Sequence, residues 1–263
     1  MTSRSLPDAD QPALVLSGVG RTFGGVRAVD DVNFDVRAGT IHGLIGPNGA
    51  GKTTALNLIS GLMRPSAGTI DVHGTRIDRL PPHRIAAMGV RRTFQNLRLF
   101  PQMSALENLL VGLHTVTRAS LGQRLLFAPA TRREETATRD RAVLVLDRVG
   151  LGRRVHQQAR NLPYGEQRRL EIARALVSDP RLLLLDEPTA GMNPAEVDEV
   201  AALIRSIAAE RRTILLVEHN MPLVMSICDR ITVLDFGRVI AEGSPAEVST
   251  DDAVIAAYLG SEE

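Results

Sequence analysis

The chain has 263 residues, enough for one large α/β domain or for a core with a lobe inserted in it. Hydrophobic residues at 44% exclude wholesale disorder, and aromatic residues at only 3%, with no Trp, exclude a base-stacking platform for single-stranded nucleic acid. A net charge of +1 gives no global drive toward nucleic acid or anionic lipid, and a single cysteine, Cys228, excludes an internal disulfide and reads as packing in an apolar stretch.

Residues 1–11 read as a flexible leader with no apolar core, so no secretory signal is expected. From Ala13 to Gly43, "ALVLSGV", "AVDDVNFDV" and "TIHGLIG" read as short strands broken by glycine turns. The glycines of "GVGRTFGG" miss the G-x-G-x-x-G spacing and precede no helical pattern, so they are not read as a dinucleotide site. After Ile45 come a glycine-rich turn and a helix through "TTALNLISGL", then strands around Gly68–His73 and Gly89–Phe94.

The character then changes. "SALENLLVGL" opens with a capping box, Ser104 and Glu107, ahead of an apolar run. "TRREETATRDRAVLVLDRVG" continues as a charged amphipathic helical region, and residues 118–141 read as a solvated helical face and loop. "NLPYGEQRRLEIARAL" reads as a helix with Leu170, Ala173, Leu176 and Val177 on one face and arginines on the other. Its entry through Pro163, Tyr164 and Gly165 is unusual. Strand signals return at "RLLLLDEP", "TILLVEH" and "RITVLDFGRVIAEG", separated by helices such as "PAEVDEVAALIRSIAAE". Strand–helix alternation that resumes after a helical insert predicts an α/β fold, a parallel sheet carrying a helical subdomain. No apolar run approaches the roughly 18 residues of a membrane span. A soluble protein is expected, reaching a membrane only through a partner.

"GPNGAGKT" matches G-x-x-x-x-G-K-[ST] between a strand and a helix. Glycines there let backbone N–H groups converge on phosphates, and the following helix adds its positive N-terminus. Lys52 would neutralise the β- and γ-phosphates, and the Thr53 hydroxyl can hold Mg²⁺. Among 31 basic residues Lys52 is the only lysine, so the position departs from the chain's habit for a specific reason. "LLLLDE" ends an apolar strand in two carboxylates. Such a pair alone is more often a helix cap. Downstream of a P-loop, Asp186 would reach Mg²⁺ through water and Glu187 would polarise the attacking water. His219 ends "TILLVEH" on the sheet edge where ligands bind, placed to contact a γ-phosphate and sense its loss. Gln95 stands where the core gives way to the helical lobe and can bond water or Mg²⁺; without the other motifs it would read as a solvated loop glutamine.

In this order the motifs resemble those of ATP-binding-cassette ATPases, from roughly Leu14 to the C-terminus. Within that family "NLPYGEQRRLEIARAL", "DEPTAGMNP", "VEHNMPLVMSICDRI" and "VIAAYLG" resemble the ATPase subunits of branched-chain amino acid importers. The resemblance implies a P-loop NTPase with a mixed-sheet core, an N-terminal antiparallel β-subdomain and an inserted α-helical subdomain. Residues 12–95 would hold the nucleotide-binding core and β-subdomain, 96–180 the helical subdomain with the signature, and 181–263 the completion of the core and a tail. ATP and Mg²⁺ are implied, with Gly46, Pro47, Asn48, Gly49, Ala50, Gly51, Lys52, Thr53 and Thr54 on the phosphates and Thr53, Gln95 and Asp186 near the metal. Phe23 would stack on adenine, or else serve as a hydrophobic hairpin residue.

The resemblance further implies two cassettes, identical or not, sandwiching two ATP molecules head to tail. Pro163, Tyr164, Gly165 and Glu166 would cap the nucleotide on the partner's P-loop. Two transmembrane permeases and a periplasmic binding protein would complete an assembly on the cytoplasmic face of a bacterial inner membrane, with no nucleic acid. Leu97, Leu99 and Phe100 beside Arg98 either dock a permease helix or pack inside the lobe. Two rivals are a lipid or lipopolysaccharide exporter's ATPase, which would carry a Gly-Gly signature, and a non-transport ATPase acting on nucleic acid or ribosomes. The latter would show a heptad insert, a second cassette or a basic stripe.

Two departures stand out. The family's Leu-Ser-Gly-Gly-Gln is here Leu162-Pro163-Tyr164-Gly165-Glu166, so Pro163 removes a hydroxyl and an N–H from the partner's site while proline suits a first helical turn. "AGMN" (Ala190 to Asn193) replaces Ser-Ala-Leu-Asp, and Asn193 lacks a carboxylate that would couple the two sites. Unequal sites in a heterodimer are the expectation.

Overall fold

The computed structural model describes residues 12–113 and 129–259. The expected leader and the 118–128 part of the arginine-rich segment lie outside them.

Two sheets organise the fold. The first is antiparallel, in the order β2 (Val26–Arg37), β1 (Pro12–Phe23), β4 (Ala67–Val72), β5 (Thr75–Arg76). The second runs β10 (Arg238–Gly243), β9 (Arg230–Asp235), β3 (Ile41–Ile45), β8 (Thr213–Val217), β7 (Leu182–Asp186), β6 (Val90–Arg92). All neighbours in it are parallel except the β9–β10 edge hairpin. Helices α1 (Lys52–Ile59), α2 (Pro82–Ala87), α3 (Ala105–Leu113), α4 (Pro129–Arg148), α5 (Tyr164–Leu176), α6 (Pro194–Ala209), α7 (Met221–Ile227), α8 (Pro245–Ser249) and α9 (Asp252–Leu259) surround them.

The central strands read as continuous apolar runs because both faces are covered. Leu183, Leu185, Ile214 and Leu216 face the core shared with α3 to α7, whereas Leu182, Leu184, Leu215 and Val217 face the core shared with α1 and the antiparallel sheet. This alternation with a period of two fixes the register: Asp186 lies beside Val217, and Val217 beside Leu44. The C-terminal ends of β3, β7 and β8 therefore lie level. The P-loop, the two carboxylates and the histidine leave the sheet at one edge.

The expectation of short N-terminal strands is corrected. β1 runs unbroken for 12 residues through Gly18 and Gly20, with register shifts between Leu16 and Arg21. Gly18 sits at φ 60 with its N–H on Asn33 Oδ1 (2.7 Å), so these glycines bend a strand instead of ending it. The Ser104–Glu107 capping box forms as expected: each partner's backbone N–H is accepted by the other's side chain, at 2.7 and 3.2 Å. The all-exposed placement of the arginines on α5 is also corrected, because Arg168 is buried. Pro163 occupies the N-cap of α5, one position before the first turn.

Candidate active site

The P-loop is forced into shape by close approaches. A Cβ on Gly46 (φ 146) would lie 1.9 Å from the Leu234 carbonyl oxygen, and one on Gly51 (φ 102) would lie 2.4 Å from that of Ala28. Ala50 is buried, while Asn48 and Gly49 are exposed at the tip. Pro47 is half-buried. Lys52 opens α1, and its Nζ donates to the carbonyls of Gly46 (2.6 Å) and Pro47 (2.8 Å) inside the loop. Burial pushes the Lys52 amine down from its ordinary range, and the carboxylates of Glu187 and Asp186 pull it back up. Thr53 is exposed and Thr54 half-buried in the same turn, whose N–H groups have no partner within the helix.

Asp186 ends β7 buried. Its Oδ2 accepts from Arg92 Nη2 at 2.9 Å, and its N–H donates to Thr93 Oγ1 at 3.2 Å. Arg92 also donates to Asn57 Oδ1 and Ser60 Oγ at the end of α1, so it ties the Asp186 carboxylate to the helix behind the P-loop. Glu187 follows in the left-handed region at φ 47, an uncommon conformation for a residue with a side chain, with its N–H on the Val217 carbonyl (2.9 Å). Three expected residues meet there: Gln95 Nε2 donates to Glu187 Oε2 at 2.9 Å, and His219 Nδ1 lies 3.8 Å from the same oxygen.

Two further residues, Glu218 and Arg168, carry no motif in the sequence. Glu218 is fully buried and accepts from Thr189 N (2.9 Å), Thr189 Oγ1 (2.6 Å), His219 N (3.1 Å) and Asn220 N (3.4 Å). It thereby joins the turn after Glu187 to the one carrying His219. A carboxylate closing an all-apolar strand is a signal that could have marked it. Arg168 stands among partly exposed polar neighbours on its helix, and nothing local distinguishes it.

The signature turn and Phe23 stand apart, with no hydrogen bond or ion pair to Lys52, Asp186 or Glu187 among the described residues. The Tyr164 hydroxyl donates to the Ala190 carbonyl (3.0 Å), and the Glu166 carboxylate pairs with Arg154 (3.2 Å). A Cβ on Gly165 would lie 2.4 Å from Glu196 Oε1. The Asn193 side chain caps α6, accepting from Glu196 N at 3.1 Å. Phe23 is 40% exposed at the β1–β2 tip, with the Arg21 guanidinium 4.8 Å above its ring. Beyond Gln95, Leu99 packs on the lobe's core whereas Phe100 and Met103 are exposed. No described helix is long and apolar enough to cross a membrane.

Comparison with known proteins agrees with this geometry. Residues 29–190 match the ABC transporter family, and residues 238–263 match the branched-chain amino acid ATP-binding cassette transporter family. The high-affinity branched-chain amino acid transport ATP-binding protein LivG of Salmonella typhimurium is 47% identical over 251 residues, covering 95% of this chain and 98% of that one. Among solved structures, the ADP conformation of an ATP-binding cassette of an ABC transporter is 29% identical with a TM-score of 0.84, covering 95% of this chain and 99% of that one. A dimeric, post-hydrolysis cassette bound to ADP and Pi is 25% identical with a TM-score of 0.75, covering 88% of this chain and 98% of that one. The shared fold, with its P-loop and converging carboxylate, glutamine and histidine, and a relative matched along almost its whole length carry one conclusion: the chain belongs to the ABC transporter family, as an ATP-binding protein homologous to those of branched-chain amino acid transport.

Proposed function

We propose that the chain hydrolyses ATP to drive import of branched-chain amino acids, as one of two paired cassettes. The observation that carries the chemistry is the meeting of Gln95, Glu187 and His219 on one carboxylate oxygen at the edge where the P-loop also ends. The substrate class rests on the named relatives and on the C-terminal match.

In the proposed reaction the loop from Gly46 to Thr54 wraps the triphosphate, with backbone N–H groups offered by its residues other than Pro47, and Lys52 exchanges its loop carbonyls for the β- and γ-phosphates. Glu187 orients a water in line with the γ-phosphorus. The new P–O bond forms as the bond to the β-phosphate oxygen breaks, leaving ADP and phosphate, and the water's proton passes toward Glu187. His219, 3.8 Å from Glu187 Oε2, contacts the γ-phosphate. Thr53, Asp186 and Gln95 suit Mg²⁺: all offer hard oxygens, and Mg²⁺ characteristically takes only one or two carboxylates beside phosphates. The Gln95 amide nitrogen is committed to Glu187, so its carbonyl oxygen is the atom that would ligate the ion. When bound, Mg²⁺ supplies charge neutralisation on the β- and γ-oxygens. Phe23, with one face under Arg21, offers the other to adenine.

Pro163 to Glu166 cap the second cassette's nucleotide, and the exposed Phe100 and Met103 beside Arg98 receive a permease helix on the cytoplasmic face of the membrane. Two permeases and a periplasmic binding protein complete the assembly. The test is ATP-dependent leucine uptake by vesicles reconstituted with these partners. Uptake should vanish with Lys52→Ala, and ATP turnover at this chain's own P-loop should fall by on the order of a thousandfold with Glu187→Gln. Uptake that survives Lys52→Ala refutes the assignment.

A further inference from the structure

Arg168 is 4% exposed on a helix whose other arginines reach solvent, and every N–H of its guanidinium has an acceptor. Nε donates to the Tyr164 hydroxyl (3.1 Å) and Nη2 to the same oxygen (2.9 Å). Nη2 also reaches the Gln95 carbonyl (2.5 Å), while Nη1 serves the Phe94 carbonyl (3.0 Å) and Glu171 Oε2 (3.4 Å). Tyr164 in turn donates to the carbonyl of Ala190, three residues past Glu187.

These bonds close a ring. It runs from the Gln95 side chain to Glu187, along the backbone to Ala190, through the Tyr164 hydroxyl to Arg168, and back to the Gln95 carbonyl. One segment, Tyr164, belongs to the turn that faces the partner cassette; the opposite segment is the Gln95–Glu187 contact at this chain's own P-loop. We propose that Arg168 and the Tyr164 hydroxyl are positioning residues, a relay that holds Gln95 and Glu187 in register with the signature helix. The relay makes hydrolysis at this chain's P-loop answer to what its signature turn touches. It rests on the hydrolytic reading above.

Neither the Tyr164 hydroxyl nor the Arg168 guanidinium touches nucleotide, since both are spent inside the ring, so breaking the relay there should spare binding. Tyr164→Phe keeps the ring and the signature N–H but deletes the shared hydroxyl; Arg168→Lys keeps the charge beside Glu171 but loses the fork. In the reconstituted transporter each variant should lower kcat about tenfold and leave the KM for ATP within about twofold. The double variant should be no slower than the slower single one, because either change opens the same ring. A Tyr164→Phe transporter with wild-type kcat, effects that multiply, or a rise in KM matching the fall in kcat would overturn the relay. No ATP turnover by the wild-type transporter would instead overturn the hydrolytic reading beneath it.

Discussion

Glu187 and Glu218 end neighbouring strands of one sheet, yet their surroundings assign them different work. Glu187 keeps part of its carboxylate open and, among the described residues, meets Gln95 and His219, whereas Glu218 has no exposure and spends its oxygens on four donors. Glu218→Ala would strand several buried donors at about 1–3 kcal/mol each, so a loss of about 3 kcal/mol or more is expected, read as a lower urea midpoint at unchanged slope. Glu218→Gln, which keeps an acceptor for Thr189, should lose clearly less. A second buried group makes stability depend on pH. His42 packs flat against Phe34 with Nε2 2.8 Å from Thr232 Oγ1, and burial, with Arg230 nearby, lowers its pKa from 6.5 to about 4. The unfolded chain therefore takes up a proton that the folded chain refuses. His42 costs nothing above pH 6.5, and stability falls as pH drops from there toward 4. Between pH 6.5 and 5 the His42 share of that fall should be about 2 kcal/mol, and it should be missing from the same titration of His42→Gln.

At the scale of elements, the P-loop shows two different reasons for a glycine. Gly49 sits at φ 82 and a methyl added there would meet nothing within 4 Å, whereas at Gly46 the same methyl meets the β9 backbone at 1.9 Å. Gly49→Ala should therefore cost only the left-handed backbone, about 1–2 kcal/mol. Gly46→Ala must push β3 and β9 apart, and a loss on the order of 4 kcal/mol is expected. Equal urea midpoints for the two variants would contradict the packing argument. The same contrast explains what could be read from the chain beforehand. Lys52, Asp186, Glu187 and His219 lie in or beside short motifs whose spacing is itself the chemistry, and level strand ends bring them to one edge of the sheet. Arg92, Arg168 and Glu218 each also bond partners 29 to 94 residues away along the chain, and no local period encodes those partners. Gly18 and Gly20 mislead for a related reason: a glycine that ends a strand and one that bends it look alike until the neighbouring Asn33 is in place.

At the scale of the whole molecule, the proposed pairing of two cassettes gives the P-loop and the signature turn to different nucleotides, and only the signature departs from the family's pattern. Lys52, Asp186 and Glu187 form an intact constellation. At the signature, Pro163 sits at the N-cap with φ −53 and ψ 154 and no side-chain cap, so the N–H groups of Tyr164, Gly165 and Glu166 and the helix dipole remain for the phosphate that the proposed pairing would bring there. What proline withholds is one hydroxyl and one N–H. A hydrogen bond to a charged group is worth about 1.5–3 kcal/mol, or about ten- to a hundredfold in binding. Its backbone angles are open to serine, which is also a favoured N-cap, so Pro163→Ser should fold without strain. Asn193 adds no comparable lever: it already closes a capping box with Glu196, a task that aspartate would perform equally well. In a heterodimer whose own site is silenced by Glu187→Gln, the residual turnover comes from the partner's P-loop under this chain's signature. Adding Pro163→Ser should lower the KM for ATP of that residual turnover by about tenfold. An unchanged KM would mean that the remaining N–H groups already saturate the partner's phosphate and that the two sites are equal despite the proline.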